Sequence, residues 1–339
     1  MEMLRIVSMF LVMTVHAGFM AAGVPTQKIV WATPAFAGLT FIDMAFSVVC
    51  VNTFVMISGW FGIKWNLNKI YGLVFQVLFF SVGIFAVMCI VSPSTLNVNN
   101  LASVFLLHTN DYWFVKSYLI LYLFAPLLNN FAESTSKKQL GRFLAIFFVF
   151  QTVYAWISIN GAGDFLGGYS ALSFSGLYLL ARFVKKYGTG IRLLSLKSRT
   201  YFLFFICLAM AQSFVAFILT RFGLEIAGRL FTYTNPIVIM QTVALLLAFA
   251  KMKPFHSKAI NWVACSCFAV YLLHANELLL RPHYARIISE IYASTPLMQA
   301  VFITFAFICV VFAAAIICDK ARAALWKVIT YANKTKACS

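Results

Sequence analysis

Long apolar runs, each bounded by charged or turn-forming residues, recur from one end of the chain to the other. Ten of them approach the roughly 17 to 25 residues that a helix needs to cross a hydrocarbon layer. They cover 4–22, 38–61, 70–91, 112–131, 142–160, 168–184, 201–220, 234–251, 261–279 and 297–318. The run 168–184 is the least apolar, with Ser and Gly among its residues. The runs leave no room for a separate globular domain, so the pattern predicts an all-α polytopic membrane protein with one domain over 1–339.

Composition agrees. Of 339 residues, 63% are hydrophobic and only 10% charged, with a mean hydropathy of +0.90, which marks an integral membrane chain rather than a soluble one with a large core. The first run lacks both a basic leader of useful length and a small-residue cleavage site, and reads as a retained span. Eight cysteines, mostly inside apolar runs and without a CxxC pair, read as packing residues, with no disulfide framework and no metal site.

The net charge of +17 would suggest nucleic acid in a soluble protein, but its placement says otherwise. With both termini inside, inner segments carry 20 of the 26 basic residues, including Arg5, Lys64, Lys69 and the group Arg182, Lys185 and Lys186. Outer segments carry 5 (Lys28, Arg221, Arg229, Arg281 and Arg286), and Lys116 lies within a span. The positive-inside rule then predicts an even number of spans with cytoplasmic termini. The partner implied by the charge is membrane lipid, not nucleic acid. The basic loop 185–200 reads either as a solvated lipid-facing loop or as a site for a phosphorylated cytosolic ligand.

Candidate chemistry is concentrated in a few ionisable residues inside the apolar runs. The first run, LRIVSMFLVMTVHAGF over 4–19, holds Arg5 at its start and His16 well inside. Eleven residues of helix turn through about 1100°, so both lie on one face, separated by about 16 Å of rise. Either they are a membrane-edge anchor and a hydrogen-bonded packing residue, or they belong to a functional site, which is the default reading of an intramembrane ionisable group. Counting about 1.5 Å per residue from the span ends places His16, Asp43, Lys116, His274 and Glu277 all in the outer half of the layer. Asp43 can orient the His16 ring and leave one nitrogen as a base, or pair with Lys116. His274 and Glu277, three apart, are expected on one helix face. Trp113, Tyr118, Tyr122, Asn52 and Asn276 can line a polar cavity, although Tyr112 and Trp113 also suit an interfacial aromatic belt. No GxSxG elbow, Walker loop, dinucleotide fingerprint or HExxH is present, and a base without a nucleophile motif points to direct transfer between two bound substrates.

Four stretches, in order, resemble the acyltransferase family 3 membrane proteins, bacterial enzymes that O-acylate surface glycans. These are Arg5 and His16 with ten residues between them, TFVMISGWFGIK over 53–64, DYWFVKSYLILYLFAPLLNNF over 111–131, and FAVYLLHANELLL over 268–280. The resemblance implies an O-acyltransferase of the bacterial inner membrane, with His16 activating the acceptor hydroxyl and Arg5 assisting donor binding or the arrangement of the site. No bound cofactor is implied; acetyl-CoA is the acyl donor. The acceptor implied is a sugar hydroxyl of a capsular, O-antigen or lipid-linked polysaccharide. On the donor side it puts Ser58, Lys64 and Lys69, two lysines standing where many members carry an arginine pair. For the acceptor side the candidates are the outer-half and cavity-lining residues Trp113, Lys116, Tyr122, His274 and Glu277. The rival reading is a transporter or flippase of a lipid-linked sugar, in which the outer-half charges form a substrate or proton path.

Overall fold

Every regular element among the described residues is a helix. In a hydrocarbon layer no water satisfies peptide groups, so an apolar run must pair its N–H and C=O groups internally. The computed structural model describes residues 1–108, 112–158, 163–224 and 226–336, with side chains at all of these except 20, 22 and 330–336. Asp111, residues 159–160 and Cys338 lie outside the described residues, as do the side chains of Lys334 and Lys336.

Among the described residues seven helices are long and apolar enough to cross a membrane: Glu2–Phe19, Pro34–Phe61, Leu67–Val91, Trp113–Ser134, Lys137–Ile157, Ser198–Arg221 and Leu297–Ile329. A bent pair, Lys258–His274 with Glu277–Ser294, brings the number to eight if it counts as one span. The remaining two expected spans are helices in the expected places but shorter, Ala171–Tyr187 with 17 residues and Pro236–Ala250 with 15. The protein is thus an all-α, multi-pass membrane protein. Ile146, Leu203, Phe214, Phe302 and Val310 stand exposed on its long helices, as a lipid-facing surface requires. Helix starts follow local rules: Asn66, Ser136, Ser170, Asn235 and Ser257 each cap a helix with a side-chain oxygen, and Ser136 with Gln139 forms a capping box.

The helices group into two units, each discontinuous in sequence. The first comprises Met1–Trp65 and Trp113–His256, the second Asn66–Tyr112 and Ser257–Ser339. Within the first, helix Cys50–Phe61 packs backbone to backbone on Ala171–Tyr187. A β-carbon at Gly59 would come within 2.5 Å of the Tyr178 carbonyl oxygen, so glycine is what permits the approach. Apolar clusters around Leu140, Leu144 and Leu179, and around Tyr201, Leu247 and Ala248, complete its core.

The second unit corrects one expectation. The run 261–279 is not a single straight span, because its helix stops at His274 and a new one opens at Glu277. Asn276 adopts an extended backbone and accepts from the Leu278 amide, which caps the new helix. His274 and Glu277 therefore do not share the face of one continuous helix. In an unbroken helix the Leu272 carbonyl would accept from the amide four residues on. Here it accepts from the Tyr112 hydroxyl, to which Asn276 Nδ2 also donates at 3.1 Å. Tyr112, 2% exposed, is accordingly a buried strut of the break rather than a belt aromatic. Elsewhere in this unit the buried Asp319 carboxylate accepts from Gln76 and Arg322, linking the helices Leu67–Val91 and Leu297–Lys336.

Candidate active site

The first helix runs unbroken from Glu2 to His16 and carries Arg5 and His16 as the spacing predicts. Immediately after His16 it widens into a π turn over Ala17–Ala22, a device that nothing in the residue pattern announced and that recurs at functional sites. His16 is half-buried. The Asp43 carboxylate, from helix Pro34–Ser47, reaches this segment two residues further on: Oδ2 lies 2.9 Å from where a β-carbon would stand on Gly18. Glycine at 18 thus makes the space in which the carboxylate lies against the first helix, beside the turn that follows His16.

Around the start of the same helix a second group gathers. Arg5 pairs with Glu2 at 2.9 Å, and its guanidinium lies 5.8 Å from the centre of the Phe61 ring. Ser58 Oγ and the Tyr118 hydroxyl share a hydrogen bond of 3.1 Å. Lys185 lies over the faces of two neighbouring rings, its Nζ 5.6 Å from the centre of Phe61 and 5.9 Å from that of Trp60. Arg5 thus lies against Phe61, three residues after Ser58 on the helix Cys50–Phe61.

Lys64 extends an exposed side chain from a pinned backbone. The Tyr122 hydroxyl donates to the Lys64 carbonyl at 3.0 Å, so Tyr122, expected on the acceptor side, stands beside a residue expected on the donor side. Ile63 is held on both edges, its amide donating to Tyr178 and its carbonyl accepting from Asn129. Neither Asn129 nor Tyr178 was singled out from the sequence, and both contribute by fixing the segment that follows the Ser-Gly helix.

Trp113 opens its helix within an aromatic cluster, its ring centre 4.3 Å from that of Tyr169, 6.1 Å from Phe174 and 6.2 Å from Tyr233. One turn on, Ser117 Oγ donates to the Tyr169 carbonyl, and from helix Cys50–Phe61 the Asn52 amide donates to the Tyr233 carbonyl at 3.0 Å. The Asn52 Oδ1 is buried without a partner among the described residues. Lys116 is half-buried on the same helix as Trp113.

The other expected site residues belong to the second unit. Lys69 is exposed in the first turn of Leu67–Val91, its amide accepted by the capping Asn66. His274 is 3% exposed, and its Nδ1 donates to the Val270 carbonyl at 2.6 Å. Glu277 lies past the helix break, half-buried.

Comparison with known families decides what this arrangement belongs to: the model of an acyltransferase domain matches residues 1–317. The protein belongs to acyltransferase family 3. The match runs across all four stretches that carry the resemblance and across both units. No curated protein and no solved structure matches the chain. As a family member with seven to eight apolar spans, the protein is a multi-pass membrane acyltransferase.

Proposed function

We propose that this acyltransferase moves an acetyl group from cytoplasmic acetyl-CoA to a sugar hydroxyl of a capsular, O-antigen or lipid-linked polysaccharide at the bacterial inner membrane, with both termini cytoplasmic. The observation that carries the reading is the first helix itself. It is an uninterrupted rod with a cation at its start, a half-buried imidazole at its end, and a carboxylate lodged against the turn beyond.

In this mechanism His16 takes the proton of the acceptor hydroxyl as its oxygen attacks the thioester carbonyl. The tetrahedral intermediate collapses by breaking the C–S bond, and the departing sulfur receives the proton from the imidazolium. Asp43 acts as a positioning residue for the His16 ring. Arg5, Ser58, Lys64 and Lys69 serve the donor, whose phosphates suit a guanidinium and ammonium groups. Trp113 and Lys116 in the first unit, and His274 and Glu277 in the second, are assigned to the acceptor, while Tyr122, first expected there, holds the Lys64 carbonyl on the donor side.

The test is release of free thiol from acetyl-CoA by purified protein in nanodiscs with a glycan extract, comparing wild type with His16→Ala. Loss of general-base catalysis should cost about 100-fold or more in turnover, with acetyl-CoA binding retained and the unfolding midpoint unchanged. Equal turnover by the two proteins removes His16 as the base. If the wild-type protein neither binds nor consumes acetyl-CoA when authentic acceptor is present, the transfer reaction fails and a lipid-linked-sugar transporter takes its place.

A further inference from the structure

The break in the bent helix pair does more than kink a span, because it borders a small recess with room for one water-sized group, about 10 Å³. All of its polar lining comes from the second unit: Ser81, Asn100, Ser103, Tyr112, Asn276 and Glu277. Among the described residues no basic side chain lines it.

What these groups still have to offer follows from their existing bonds. Tyr112 and Asn276 are occupied with each other and with the break. The Asn100 Nδ2 donates to the Thr95 carbonyl, leaving its Oδ1 as an acceptor. Ser103 donates its only proton to backbone carbonyls, to that of His108 at 2.6 Å, and so offers lone pairs alone. The Glu277 carboxylate forms no hydrogen bond or ion pair among the described residues. Ser81 is 2% exposed, and its Oγ is buried with no partner at all among them. A hydroxyl in that condition is costly, and a native membrane helix retains one where something supplies the missing bond.

The recess therefore presents three acceptors and one donor. A ligand hydroxyl matches this set, since it can donate to Glu277, Asn100 or Ser103 and accept from Ser81. An ammonium has no lone pair for Ser81, and a phosphate would meet the Glu277 charge with no cation to offset it. Phe85 adds an aromatic wall, against which the C–H face of a sugar ring can pack.

We propose that this recess is a carbohydrate subsite, which takes one hydroxyl of an uncharged sugar at its floor and packs the ring against Phe85. It rests on the proposed reaction only in naming a glycan as acceptor, and its binding can be measured without acetyl-CoA.

The experiment is saturation-transfer NMR on the full-length protein in a sugar-free detergent, titrated with methyl α-glucoside and methyl α-galactoside. At least one glycoside should bind saturably, with a Kd on the order of millimolar. Ser81→Ala should weaken it about fivefold while leaving the unfolding midpoint unchanged or higher, because an orphan hydroxyl is removed. Glu277→Gln should weaken it about tenfold. Three results overturn the proposal: no saturable glycoside binding, binding untouched by both substitutions, in which case the recess holds a structural water only, or methylammonium binding more tightly and displacing the glycoside. Failure of the transferase reading shows separately, as absent thiol release with glycoside binding intact.

Discussion

Gly18 offers the sharpest handle on the site, because a single methyl group there acts on Asp43 and on nothing else nearby of comparable closeness. A β-carbon at 18 would lie 2.9 Å from Asp43 Oδ2, against 4.0 Å from its next neighbour, Met44. Ordinary contact begins at 3.4 Å, so in Gly18→Ala the carboxylate must withdraw by about half an ångström. The group that moves is the tip of a side chain, which puts the packing penalty near 1 kcal/mol, the low end for an added methyl. Alanine in a helix regains about 0.5–1 kcal/mol over glycine. The two nearly cancel, and the unfolding midpoint should stay within a few degrees of wild type.

Turnover should not stay. If the Asp43 carboxylate holds the His16 ring in its working orientation, displacing it costs about 1.4–2.7 kcal/mol in the transition state, a 10- to 100-fold loss in kcat. The assay is thiol release at saturating acetyl-CoA, run on Gly18→Ala, Asp43→Ala and the double variant. With residue 43 truncated the new methyl meets no carboxylate, so Gly18→Ala should cost nothing further, and the cycle should close with a coupling equal to the single loss. Full turnover by Gly18→Ala, or the same loss in both backgrounds, refutes the positioning role of Asp43.

Two predictions concern the scaffold. Tyr112→Phe leaves the Leu272 carbonyl and the Asn276 amide without their shared hydroxyl and should destabilise the protein by about 2–3 kcal/mol, read as a lowered midpoint in thermal unfolding with a thiol-reactive dye. An unchanged midpoint would mean that the break is held by other contacts. At Gly59 the β-carbon would meet the backbone of Tyr178 rather than a side-chain tip; Gly59→Ala should therefore cost about 3 kcal/mol or more and abolish the monodisperse peak in size-exclusion chromatography, whereas a well-behaved Gly59→Ala protein would show that the two helices can separate freely.

Hydropathy averaged over a span revealed where the helices are, and it concealed where they bend. FAVYLLHANELLL over 268–280 has nine apolar residues besides Ala275 around His274, Asn276 and Glu277, so a window averaged over a span slides across the break at Asn276 without registering it. The signal present was local: an Asn directly before a Glu is a helix-start pattern, here inside an apolar run. Arg5 and His16 were legible because their spacing is a property of one helix. The Asp43 contact at Gly18 was not, because it depends on which helix lies opposite, and two residues 25 apart on different helices carry no mutual periodicity.

The polar groups of apolar helices make the same point in energetic terms. Each must find a partner because lipid supplies none, and the sequence identifies the groups with this requirement but not the pairs that meet it. Tyr178 and Asn129 show the consequence. The Tyr178 hydroxyl donates to Asn129 Oδ1 at 2.7 Å and accepts from the Ile63 amide at 2.8 Å, while Asn129 Nδ2 donates to the Ile63 carbonyl at 2.8 Å. This set of bonds ties together three segments far apart in the chain. With Tyr122 holding the next carbonyl, that of Lys64, the backbone leaving the Ser-Gly helix is fixed from two sides. The lysine that follows the helix therefore extends from a rigid base, so that exchanging its side chain tests charge alone, whereas exchanging Asn129 or Tyr178 moves the segment itself.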